Sequence, residues 1–141
     1  MNGFRIARPF AVAALIAIFA ASASAKCTQI DVPEPLRGLE QFKGYIVEGK
    51  YKLAMLDFEI SDTAKQQLAG GLEALAPDGF TGCTTIKRAR QSDHFISEVF
   101  MTEGDGTVLY WTISGQIVGS SFRMINFTYN DKFEEIRGLI Y

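Results

Sequence analysis

The chain has one histidine, one tryptophan and two cysteines in 141 residues, and each scarcity closes off a class of function. A lone histidine, with no acids grouped at cage spacing, leaves no ligand set for zinc or calcium, so neither metal nor cofactor is implied. The two cysteines lack the C-x-x-C spacing of a redox or metal-binding pair. Basic charge is not in surplus: 14 Lys and Arg stand against 16 Asp and Glu, a formal net charge of −2. That balance gives no electrostatic footprint for nucleic acid or an anionic membrane surface. No apolar run reaches the ~20 residues that a membrane-spanning helix needs. Repeats, low-complexity tracts and internal linkers are also lacking, so nothing divides the chain into several units.

What is present begins with an export signal. Arg5 and Arg8 make a positive start with no acid before Asp31, Phe10–Ala21 is apolar, and Ala23-Ser24-Ala25 has the small-x-small form of a cleavage site. Residues 1–25 are therefore expected to be removed, leaving 26–141 as a single secreted or periplasmic domain with no integral membrane segment. Its net charge is about −4 once the two signal arginines are gone. In an oxidising compartment Cys27 and Cys83 are expected to pair as a structural disulfide. The loop it closes is worth roughly 4 kcal/mol in the chain-entropy model.

Residues 26–35 (KCTQIDVPEP) read as an extended lead-in. Leu36, Leu39, Phe42, Ile46 and Val47 recur at helical steps up to Gly49, and Tyr51–Phe58 suggests a short second helix or turn. Ser61 is a good N-cap for a third helix that runs through Leu68, Leu72 and Leu75 to the stop at Pro77-Asp78-Gly79. After Gly82 the texture becomes β-like. Runs from Thr84, over His94–Thr102, over Thr107–Ser114 and over Ser121–Tyr129 are separated by turn signals, the clearest being Asp105-Gly106. Phe133–Tyr141 fits either period, since Phe133, Ile136 and Ile140 also sit at helical spacing; the Asn130-Asp131 turn before it favours a last strand. Helices first and strands afterwards mean α+β: N-terminal helices packed on a curved antiparallel sheet of four or five strands. Leu39, Phe42, Leu68, Leu72, Trp111, Ile113 and Ile125 are the expected core. The sheet's other face is left open for self-association, most simply as a homodimer.

This order of elements, and above all Phe127-Thr128-Tyr129-Asn130-Asp131-Lys132 followed by Glu135-Ile136-Arg137, resembles the NTF2-like (SnoaL-like) superfamily. The resemblance implies a cone-shaped roll in which helices and a concave sheet enclose an apolar pocket. Members of that superfamily include isomerases, cyclases and dehydratases beside many non-enzymatic binding modules, so it fixes no activity.

Candidate chemistry is sparse. Glu98 shares a strand face with His94 (a candidate ligand contact), Ile96, Phe100 and Thr102, where burial would turn it into a proton-abstracting base. Asp57 is a second carboxylate candidate, and Tyr110 a hydrogen-bond donor beside either. His94 follows Asp93, but neighbours on a strand point to opposite faces, which makes the pair an exposed turn rather than a dyad. Trp111 would be a ligand platform if it lined the pocket and a core aromatic if it packed on the helices. Gly104-Asp105-Gly106 joins two strands and is a hairpin turn, not a phosphate loop. Asn126-Phe127-Thr128 fits a glycosylation sequon but falls within an expected strand. Lys87, Arg88 and Arg90 are expected on a solvated strand edge. The favoured function is an exported, non-enzymatic binding module for a small apolar ligand or a protein partner. The competing one is a small cofactor-free isomerase or dehydratase using Glu98 or Asp57.

Overall fold

A computed structural model describes residues 27–29 and 35–141; the expected signal segment lies outside the described residues. In chain order the elements are β1 (Thr28–Gln29), α1 (Arg37–Val47), α2 (Tyr51–Ala54), α3 (Asp62–Leu75), β2 (Gly82–Ser92), β3 (Phe95–Gly104), β4 (Thr107–Val118), β5 (Ser121–Asn130) and α4 (Phe133–Ile140). Helices precede strands as expected, which makes the class α+β. Strands β2 to β5 form an antiparallel meander in an open sheet of order β1-β2-β3-β4-β5, neither curled nor closed.

Local chemistry accounts for most of these boundaries. The Ser61 hydroxyl accepts the Ala64 N–H and caps α3, so an orphan donor of the first turn is satisfied. Asp105 and Gly106 both have positive φ, 48° and 77°, the left-handed pair that turns β3 into β4 with matched twist. Along β4, Leu109, Trp111 and Ile113 alternate inward against the helices. Leu39, Phe42 and Ile46 of α1, Leu72 of α3, and Phe100 and Phe127 of the sheet complete that core. Each such side chain contributes roughly 1.5–3 kcal/mol on leaving water. The indole N–H of Trp111 is buried, and it donates to the Thr102 hydroxyl at 2.9 Å. Leu68, expected in the core, packs against it only partly buried.

Four expectations need correction. Ile125 is not core: it is 50% exposed. A bulge opposite Ser114 and Gly115 makes Ile125 the extra residue of β5, so Met124 takes the inward place that simple alternation would have assigned to it. Phe133–Ile140 is a helix, not a strand. The Asn130 side chain accepts the Lys132 N–H and ends β5, while Glu134 and Glu135 sit in the first turn, where the helix dipole favours acids. The outer face of the sheet is in consequence partly covered rather than open. The Phe133 ring packs on Tyr110, Lys87 Nζ donates to the Ile140 carbonyl at 2.8 Å, and Ile136 is buried. Finally, β1 pairs parallel to β2 at Thr28 and Thr84, so the sheet is not wholly antiparallel. The Cys27–Cys83 disulfide, formed as expected, holds the two segments side by side. It also points to an oxidising, non-cytoplasmic location.

Tyr51 joins the helical layer together. Its buried hydroxyl donates to the Ala76 carbonyl just past α3, at 2.5 Å. Burial, reinforced by the negative charge of Glu73, pushes this phenol up to about 12. The folded state therefore holds the proton more tightly than the unfolded chain, whose phenol ionises near the ordinary value of 10. The resulting stability is complete below pH 10 and is lost as pH rises through 12. Denaturant midpoints measured from pH 8 to 12 are expected to fall across that window, and Tyr51→Phe is expected to flatten the fall; an unchanged slope in Tyr51→Phe would contradict the assignment.

Candidate functional site

Four charged side chains meet between α1 and the sheet. Glu40 and Lys43 are one helical turn apart on α1, a spacing that places both on the same side. Arg88 on β2 and Glu98 on β3 are directly opposed in the strand register. A bulge at Ile86 decides the arrangement: Thr85 faces inward, Lys87 is turned out, and Arg88 is brought in. This overturns the reading of a solvated strand edge for Arg88, whose side chain is only 10% exposed, while Lys87 and Arg90 are exposed as expected.

Hydrogen bonding within the cluster is nearly complete. Lys43 Nζ reaches Glu98 Oε1 at 2.7 Å, Glu40 Oε1 at 2.9 Å and the Thr85 hydroxyl at 3.0 Å, which uses all three ammonium hydrogens. Glu98 Oε1 also accepts from the Thr85 hydroxyl at 3.4 Å. Its other oxygen, Oε2, takes Arg88 Nε at 2.6 Å and the terminal guanidinium nitrogen at 2.5 Å. The same guanidinium reaches Glu40 Oε1 at 3.2 Å. Lys43 is 1% exposed and the Glu98 side chain 0%. Two cations and two anions thus cancel, and the Lys43 ammonium lies 5.8 Å from the centre of the Phe100 ring.

The arrangement defines what Glu98 can do. Its four acceptor positions are filled by cationic or hydroxyl donors, so no lone pair is left for a substrate proton. The tyrosine considered as its helper is on the wrong side. Tyr110 pairs laterally with Met101 on the outer face and stacks edgewise on Phe133, with the sheet between it and Glu98. Trp111 is 0% exposed among Phe42, Phe100, Phe127 and Tyr129, a core position with no free ring face. His94 and Asp93 are exposed in the β2–β3 turn.

Asp57 lies elsewhere, in a groove of about 170 Å³ between α1, α2 and the start of β5. Gly38, Gln41, Phe42 and Tyr45 line it along one stripe of α1; Leu53 and Ala54 come from α2, and Phe122, Arg123 and Met124 from β5. Gly38 lets the helix come this close, since a Cβ there would stand 2.7 Å from the Phe122 carbonyl. Sequence reasoning named Asp57 but not its surroundings. The i, i+3, i+4, i+7 spacing from Gly38 to Tyr45 was the available signal, and it was absorbed into the amphipathic pattern of the helix.

Among the described residues no group of His, Cys, Asp and Glu side chains could hold a metal ion, and no helix is long and apolar enough to cross a membrane. No family model, curated protein or solved structure matches the chain.

Removing one member of the cluster leaves charge buried without its partner, which costs about 3–5 kcal/mol. Glu98→Gln is expected to lower stability by that amount in denaturant titrations, whereas the exposed Asp57→Asn should stay within about 0.5 kcal/mol of the parent. A Glu98→Gln protein as stable as the parent would mean that the cluster is not closed.

Proposed function

We propose that the chain is an exported binding module without catalytic chemistry, whose ligand seat is the groove between α1, α2 and β5. The observation that carries this reading is the groove's lining. Phe42, Leu53, Ala54, Phe122 and Met124 supply apolar surface, while Gln41, Tyr45, Asp57 and Arg123 offer polar groups that could orient a ligand. A concave apolar seat with a few convergent polar groups is the common form of a small-molecule site. Its volume suits a small apolar ligand or a single side chain of a partner protein. The saturation of Glu98 weighs against that residue as the base of the isomerase or dehydratase alternative, which leaves it only Asp57, exposed at the groove's edge.

Two further parts of the proposal have other supports. Export rests on the signal-like residues 1–25, and the disulfide agrees with it. Kinship with the NTF2-like superfamily rests on the helices-then-meander order and the Phe127–Arg137 residues; the open sheet and the closing helix α4 add nothing to it.

Amide NMR of the disulfide-bonded protein with a panel of apolar fragments tests the reading. Saturable shifts confined to Gly38, Tyr45, Asp57, Phe122 and their neighbours are expected. Binding confined to other surfaces, or a turnover that Glu98→Gln abolishes in a still-folded protein, would overturn it.

A further inference from the structure

The charges around the groove do not balance. Arg123 is engaged by Glu59. The lysines nearest in sequence are also occupied: Lys50 pairs with Glu48, Lys52 with Glu73, and Lys65 Nζ donates to the Leu56 carbonyl. Arg37 adjoins Gly38 in sequence but does not line the groove. Asp57 is left as the one lining carboxylate with no ion pair among the described residues, exposed at the edge of an aromatic and aliphatic surface. Tyr45 and Phe122 are half-buried there, and the negative face of an aromatic ring attracts cations as a carboxylate does. Size narrows the occupant further. The groove's 170 Å³ is close to the cavity of about 150 Å³ that accepts one benzene in a well-studied lysozyme variant.

Resting on the groove as ligand seat, we infer that its ligand is a small organic ammonium ion: a primary or quaternary amine on an apolar body the size of one aromatic ring. The cation pairs with Asp57 and the body lies over Phe42, Leu53, Phe122 and Met124. A ligand anion finds no uncommitted cation among the lining residues, because Arg123 already has Glu59.

Three probes of one shape test this on the disulfide-bonded protein: benzylammonium, benzyl alcohol and benzoate, titrated by calorimetry and amide NMR. Benzylammonium is expected to bind about fivefold to tenfold more tightly than the alcohol, with benzoate weakest. Asp57→Asn should narrow the gap between the ammonium and the alcohol to less than about twofold, in a protein whose fold the exposed isosteric change spares. Equal affinities, or preference for benzoate, would overturn the cation assignment while leaving the groove as a ligand seat. If none of the three shifts groove amides, the seat itself is wrong. N-acetyl-lysine amide binding more tightly than benzylammonium would overturn the small-molecule assignment in favour of a partner's side chain.

Discussion

A carboxylate with no access to water must be met by cations from its own protein, and Glu98 is met by two of them from two different elements. Lys43 reaches it from α1 and Arg88 from β2, so the charge can be satisfied only when the helix stands at one height and one rotation above the sheet. Apolar packing of Leu39, Phe42 and Ile46 supplies much of the attraction between the layers. It is indifferent to small sliding in a way that two cations, each within 3.2 Å of both anions, are not. Buried ion pairs are poor sources of net stability, because desolvation consumes most of the Coulombic gain. Their use here is registry.

That registry is what shapes the candidate site. Lys43 fastens one side of α1 to β2 and β3, and the neighbouring stripe from Gly38 to Tyr45 is thereby held against β5 at the spacing that leaves a groove. Gly38 permits the closest approach, at the Phe122 carbonyl. The short α2 closes the remaining side; Tyr51 at its start is tied to the end of α3, and Phe58 just beyond it packs against Phe127. The disulfide and β1 secure the opposite edge of the sheet, beside the start of β2. One helix thus serves two purposes, with its charged turn directed at structure and its small and aromatic stripe at the groove.

Much of this was legible in the residues. The α+β order, the Ser61 cap, the Asp105-Gly106 hairpin and the Cys27–Cys83 pair each rest on local chemistry, which a sequence displays directly. Bulges are not displayed. The extra residue at Ile86 turned Arg88 inward and the one at Ile125 turned that side chain outward, and neither shift shows in the residue types. Phe133–Ile140 was misread for another reason: its apolar spacing suited a helix, but the turn before it suited a hairpin, and the period proved the better guide. The strand face that Glu98 shares with Ile96, Phe100 and Thr102 was legible, but not whether that face is buried. The saturation of Glu98 could not be read, because Lys43 and Arg88 meet it only through tertiary contact. The groove was illegible for the same reason, being assembled from the neighbouring α1 and α2 together with β5, which is far from them in sequence.

The central claim is that the Lys43–Glu98 pair acts as a unit that locks α1 to the sheet. A double-mutant cycle on folding stability, using Lys43→Met, Glu98→Leu and the double variant, tests it most directly. The account predicts a coupling free energy of about 1.5–3 kcal/mol, because each single change strands a buried charge that the double change relieves. Effects that add to within about 0.5 kcal/mol would contradict it.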